Sequence, residues 1–196
     1  TITKSCWAIE RWTPKTWARA LPDLWRTGAT TLTIALAASL LALMLVLAVL
    51  EWEARQGRHV GGALIYLPLL VPQIAFLPGL QVLALGLGAK GGIAIVTAAH
   101  LVFVLPYVWL SLAPAFRAWD ERVGLAAASL GATSDRIFWH LRLPMLLSPL
   151  LTALALGVAV SVGQYLPSLM IGGGRVETLT TEALALASGG KRRLIG

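Results

Sequence analysis

The chain has 196 residues, 57% of them hydrophobic and only 13% charged, whereas an average soluble domain carries about 25% charged residues. That balance excludes a water-soluble globule and, more firmly, a disordered chain, and the single Cys6 excludes a disulfide scaffold. The net charge of +7 is carried between long apolar runs, which assigns the basic residues to the edges of a bilayer rather than to nucleic acid.

Residues 1–27 hold Trp7, Trp12, Trp17 and Trp25 among scattered charges. With no apolar core they do not read as a signal peptide, and an amphipathic or loop segment outside the hydrocarbon is expected. Thr1 is not a Met, and Gly196 follows abruptly on the basic run Lys191–Arg193, so the sequence is expected to belong to a longer protein.

Four stretches contain no Asp, Glu, Lys or Arg: residues 27–50, 60–89, 91–116 and 143–174. A crossing helix needs about 20 apolar residues, because the hydrocarbon is ~30 Å thick and a helix rises ~1.5 Å per residue. An open sheet would leave unpaired edges in lipid. The expectation is therefore an all-α, polytopic membrane bundle with four spans near 28–50, 64–87, 92–115 and 146–169. Residues 51–60 read as a short polar loop. Residues 88–92 form a tight turn, which makes the second and third spans antiparallel neighbours.

Pro68, Pro72, Pro78, Pro106, Pro114, Pro149 and Pro167 interrupt the spans. Two readings stay open: simple tolerance of proline inside a bundle, or broken helices lining a pathway. In the fourth span Ala153, Gly157 and Ser161 form one column and Ala155, Ala159 and Gly163 another. Residues four apart share a helix face, and small residues let backbones approach, so this span is expected to be central with neighbours on two sides.

Residues 117–142 form the one long internal connection. Asp120 is placed to cap a helix running to about Leu130. Gly131 supplies a turn, and Thr133, Ser134 or Asp135 can cap a second short helix. Ile137, Phe138 and Leu141 share one face of that helix, with Arg136 and His140 toward another. Pro144 marks the start of the next element. The product is a helix–turn–helix outside the hydrocarbon, presenting small residues around 126–131. It suits either docking to another protein or an ordinary surface loop.

Its spacing resembles the motif of ABC-importer permeases: Glu-Ala-Ala, three residues, Gly, nine residues, an aliphatic residue, one more residue, then Leu-Pro. Here Leu125-Ala126-Ala127 stands first, Gly131 follows after three residues, and nine more lead to Leu141, Arg142, Leu143 and Pro144. Elsewhere Thr30–Ala35, Leu67-Pro68, Val71-Pro72, His100, Leu105-Pro106-Tyr107, Ser161–Pro167 and Gly172–Gly174 are similar to the successive spans of the same family. The likeness covers nearly the whole chain and is closest to the branch with thiamine, iron and polyamine importers. One departure is Leu125, where the family usually has Glu; that carboxylate would help hold the loop and its ATPase contact.

The resemblance implies a MetI-like permease fold in a bacterial cytoplasmic (inner) membrane, crossed several times. It also implies a translocation path and a docking turn for a separate ATPase dimer that binds the ATP; no cofactor is expected in the chain itself. Further implied partners are a second permease half, separate or fused, and a periplasmic or lipoprotein solute-binding protein. Carried over by position, Ala126, Ala127 and Gly131 form the docking turn, Asp135 and Arg136 its polar flank, and Leu141 and Pro144 the hinge into the fourth span. Residues 1–27 and 175–196 would then lie outside the cytoplasm, with 28–174 as the transmembrane domain and a further span after 196. Only six of the sixteen basic residues (Arg55, Arg58, Arg117, Arg122, Arg136 and Arg142) would face inward, which opposes the positive-inside tendency.

Polar groups inside a bilayer usually face the bundle interior. Gln73, Gln81, His100, Ser161 and Gln164 are thus candidates for the path, with Tyr165 beside them; helix–helix hydrogen bonding is the alternative for each. An intramembrane enzyme using Ser161 and His100 as nucleophile and base finds no support in an HExxH or GxSxG pattern. A secondary transporter or channel subunit without an ATPase would require buried acids or inverted repeats, and neither is evident.

Overall fold

A computed structural model describes residues 14–57, 65–88 and 91–188, and these contain helices and turns but no strand. In chain order the helices are α1 (Pro14–Gln56), α2 (Leu67–Leu70), α3 (Gln73–Gly86), α4 (Ile93–Arg117), α5 (Glu121–Ser129) and α6 (Ser134–Ile137). A π-helical turn (Phe138–Arg142), α7 (Leu143–Met145), α8 (Leu147–Val162), α9 (Tyr165–Gly172) and α10 (Leu179–Ser188) follow. The expected all-α membrane bundle is observed, but its spans differ in detail from the charge-free windows.

The first span is not confined to 28–50. α1 runs 43 residues from Pro14, so the described part of the segment expected to be amphipathic or loop is a continuation of the first span's helix. Nothing stops the helix at Gly28, and the threonines around it satisfy themselves locally. The hydroxyls of Thr27, Thr30, Thr31 and Thr33 each donate to the carbonyl four residues back, at 2.7 to 3.0 Å. At the other end Glu51–Gln56, expected as loop, are the last turns of the same helix. Its apolar portion, Leu21–Gln56, has 36 residues. At ~1.5 Å per residue that overshoots a ~30 Å hydrocarbon layer, so its ends stand outside.

α4 is the second unbroken span, and burial surrounds most of it: Val96, His100, Phe103, Val104, Val108, Trp109, Leu112 and Phe116 are all buried. The core lies where α1, α4 and α8 meet. Ala42 of α1, Val104 and Val108 of α4 and Ala153 of α8 share one buried cluster, and Ser39 of α1 lies against Gly157 of α8. Gly157 is dictated by this junction. A Cβ there would lie 3.1 Å from Ser39 Oγ and 3.2 Å from a Val104 methyl. Only one of the two small-residue columns is used: Ala153, Gly157 and Ser161 are buried, whereas Ala155, Ala159 and Gly163 are exposed. The central helix is α4, and α8 meets both its neighbours with a single face.

The second and fourth spans are each broken. Val71 and Pro72 are extended between α2 and α3 (ψ 128° and 129°). A residue before proline is driven out of the helical region by the proline ring, and this happens at Val71. The fourth span ends at Val162, and Gln164 is extended (ψ 93°) before α9 begins. Pro167 explains that break: it has no N–H for the Gly163 carbonyl, and its ring would collide with it. By contrast α4 carries Pro106 and Pro114 without a break, because helices pack around it. α10, within the segment expected to follow the transmembrane domain, is tied to α1 by Leu179 N–H donating to Thr31 Oγ1, 2.9 Å.

Candidate functional site

Two polar regions stand out, one at each end of α8. The first is the connection 117–145, built much as its local chemistry dictates. The Asp120 carboxylate caps α5 by accepting from Arg122 N–H (3.0 Å), and Thr133 Oγ1 caps α6 by accepting from Arg136 N–H (3.4 Å). Between them Gly131 has φ 86°, a left-handed geometry that costs any residue with a Cβ ~1–2 kcal/mol. Ser129 Oγ closes the C-terminal turn of α5 on the Ala126 carbonyl, 2.7 Å.

Neither α5, α6 nor the π turn contains a buried residue. Leu125 and Leu130, both ahead of the turn, are 70% and 89% exposed, and Ala126 and Gly131 are exposed as well. This is an apolar knob of small relief. Ala127 and Leu141 are half-buried behind it, and Arg136 and Pro144 are exposed. The π turn follows from Pro144, which offers no N–H to the His140 carbonyl; Leu143 N–H instead reaches five residues back to Phe138. Past Leu141 and Pro144 the chain bends by 71° into α8, so the expected hinge residues sit at the bend.

Charge fixes this connection to the end of α1. Arg142 Nη1 donates to Glu51 Oε2 at 2.7 Å, and both side chains are only 14% exposed. The Arg142 guanidinium lies 4.3 Å from the Trp119 ring centroid and 5.1 Å from that of Phe116. Arg55 donates to Glu51 (2.9 Å) and to Asp135 (2.7 Å). Beside them Arg117 donates to Glu53 at 2.9 Å and lies over Trp109. Asp135, expected as part of a polar flank for a partner, is thus engaged within the chain.

The second region lies at the break between α8 and α9. Ser161 Oγ is 2.8 Å from His100 Nδ1, and Ser168 Oγ is 3.0 Å from Nε2. Ser168 donates its one proton to the Gln164 carbonyl, 3.1 Å away, so it must accept from Nε2–H. The network then runs one way: Ser161 O–H to Nδ1, Nε2–H to Ser168, Ser168 O–H to the backbone. This assignment comes from the network and leaves the imidazole neutral, as suits a closely packed pocket whose lining carries no charge. Thr31, Thr178 and Thr180 share that lining. Gln164 lines the same pocket, and neither its amide nitrogen nor its oxygen has a partner among the described residues.

Of the expected path residues, His100, Ser161 and Gln164 are therefore brought together. Gln73 opens α3 and Tyr165 opens α9; both are half-buried and outside this chain of bonds. Gln81 lines a separate open groove of about 400 Å³ with Gly91, Met170, Gly172 and Arg175. Although Ser161 and His100 touch, the far ring nitrogen goes to a serine and not to the carboxylate that orients a catalytic base. Sequence reasoning missed Ser168, Thr31, Trp119, Glu51, Glu53 and the pairing of Arg142. The only local hint was the four-residue spacing of Glu51 and Arg55.

Residues 54–187 match the family described as binding-protein-dependent transport system inner membrane component. The chain is 39% identical over 164 residues to the inner membrane ABC transporter permease protein YnjC of Escherichia coli K12, covering 84% of this chain and 31% of that protein. It is 26% identical to the spermidine/putrescine transport system permease protein PotC of Haemophilus influenzae, over 69% of this chain and 52% of that one. It is also 32% identical to the molybdenum transport system permease protein ModB of Mycobacterium tuberculosis, over 57% and 47%. The chain thus spans from under a third to about half the length of these relatives. By these matches, and by the capped helix–turn–helix set between its apolar spans, the chain belongs to the binding-protein-dependent transport system inner membrane component family.

Proposed function

We propose that the chain forms part of the membrane path of an ATP-driven importer and takes its power from a separate ATPase. The observation that carries this reading is the knob at residues 125–131. Two capped helices hold exposed Leu125 and Leu130 ahead of a glycine turn, outside the apolar spans and directly before a bend. Exposed apolar groups on a rigid turn suit a protein partner, and the bend gives that partner leverage on α8. Ala126, Ala127 and Gly131 are the docking turn, and Leu141 and Pro144 the hinge. Arg55 and Asp135 join the end of α1 to residues 117–145, so on this reading both face the cytoplasm together. The ATPase supplies nucleotide chemistry, so the chain itself needs no cofactor.

Gln73, His100, Ser161, Gln164 and Tyr165 belong to the path, with the unpartnered Gln164 amide as its most telling member. A second permease half and a solute-binding protein complete the assembly. The chain's own neutral lining at His100 favours solute contact through hydroxyl and amide groups rather than fixed charge.

The test is Gly131→Val in the full-length permease, co-expressed with its ATPase. Membrane insertion is expected to be unchanged, while co-purification of the ATPase falls by roughly an order of magnitude, as a ~1–2 kcal/mol strain in the turn dictates. Equal co-purification in the variant would refute the docking role. Solute movement by the permease alone, without nucleotide, would support a secondary transporter instead.

A further inference from the structure

The short helices have no buried residue, and of the π turn and α7 only the partly buried Phe138 and Leu143 pack against the core, so apolar packing alone leaves α5 and α6 without an anchor. Five further contacts supply it, and they form a continuous chain. Trp119 packs on α5 at Gly124, where an added Cβ would come within 2.9 Å of the indole. The same indole stacks on the Arg142 guanidinium. Arg142 is ion-paired to Glu51 of α1, and from Glu51 the path returns through Arg55 to Asp135 of α6. Both short helices of the docking element are therefore fastened to the last turns of α1, across 80 and 91 residues of sequence.

The covalent route from the docking turn into the membrane is poorer. It runs through a π turn and a 71° bend, where a push can be absorbed by flexing. The ionic route avoids the bend. It delivers to α1, which packs against both α4 and α8 in the core. We infer that Glu51 and Arg142 are positioning residues that make the docking turn and the first span move as one body, so that partner movement enters the bundle through α1 as well as α8. A half-buried pair is suited to this, because separating it would leave an uncompensated charge in a poorly solvated place.

This inference rests on the importer reading above, and its test separates the two. The full-length permease is assembled with its ATPase in nanodiscs, Cys6 is replaced by Ser, and spin labels are placed at Gln56→Cys and Glu121→Cys, both exposed positions. ATP with vanadate is the probe. In the parent protein the distance between labels is expected to stay narrow with and without the probe. In Glu51→Gln the ATPase is expected to remain bound and active, while the distance distribution roughly doubles in width only when the probe is present, since only then is the joint loaded. Arg55→Gln, which removes an exposed side chain and leaves the buried pair intact, serves if Glu51→Gln fails to assemble. It is expected to broaden the distribution in the same state, to a smaller extent. An unchanged distribution in the assembled variants overturns the inference. Equal broadening with and without the probe also overturns it, because it marks static support alone. Failure of the parent permease to bind the ATPase overturns the importer reading instead, and this inference with it.

Discussion

The junction of α1, α4 and α8 and the helix–turn–helix at 120–145 are held by opposite means. At the junction, small side chains bring three backbones together; Ala35, Ala38, Ala42, Ala153 and Val104 are wholly buried, and a Cβ at Gly157 would press on Ser39 and Val104 at 3.1 and 3.2 Å. In the helix–turn–helix no side chain of the short helices is buried, and besides the partly buried Phe138 and Leu143 its position comes from caps, ion pairs and cation–π stacks. Dispersion packing has many near-equal contacts and resists any change of volume. Directional contacts are few, and each can be cut singly. One region therefore resists change as a whole, and the other is held at a defined angle by contacts that can be removed one at a time.

Breaking the contrast is simplest at Gly157. Gly157→Leu drives a side chain into Ser39 and Val104 and is expected to cost at least ~3 kcal/mol, seen as a loss of folded permease or a drop of several degrees in Tm in detergent. The polar chain in the same bundle should respond less. His100→Ala leaves the Ser161 and Ser168 hydroxyls short of a partner, for an expected loss of about 1–3 kcal/mol in the same melt. His100→Gln, able to serve one of them, should recover part of it. In the helix–turn–helix, Asp120→Ala removes a cap worth about 1 kcal/mol. Its effect should be confined to faster amide exchange in residues 121–124, with Tm unmoved. Smallest of all is Arg55→Gln, whose side chain is 43% exposed. It should leave Tm within error, and any change in ATPase co-purification should vanish at high salt, where exposed pairs are screened. If Asp120→Ala lowered Tm as much as Gly157→Leu, the contrast would be wrong.

The helix–turn–helix at 120–145 was legible because each of its features is local. Asp120, Gly131, Thr133 and Pro144 act on backbone groups within five residues, so their effects can be written down without knowing the fold. The existence of apolar spans was legible for the same kind of reason, since the cost of charge in lipid acts residue by residue. Their breaks were not. A charge-free window looks the same whether or not Val71 or Gln164 has left the helix, and the proline-rich α4 stayed whole. What decides is how closely neighbours surround each proline, which is a tertiary fact. The limits of α1 were misjudged because Glu51, Glu53 and Arg55 read as loop polarity. Their partners Arg142, Arg117 and Asp135 lie 64 to 91 residues away, beyond any local pattern.

The π turn at Phe138–Arg142 has one more effect. Winding one additional residue into a helix rotates everything after it by about 100° around the axis. The side chains beyond Arg142 are carried that far round relative to an uninterrupted α-helix, so Pro144, through the donor it lacks, helps set the phase at which the chain enters α8. A deletion within 138–142 that restored ordinary winding would aim a different stripe of α8 at α1 and α4, while leaving composition and hydropathy almost untouched.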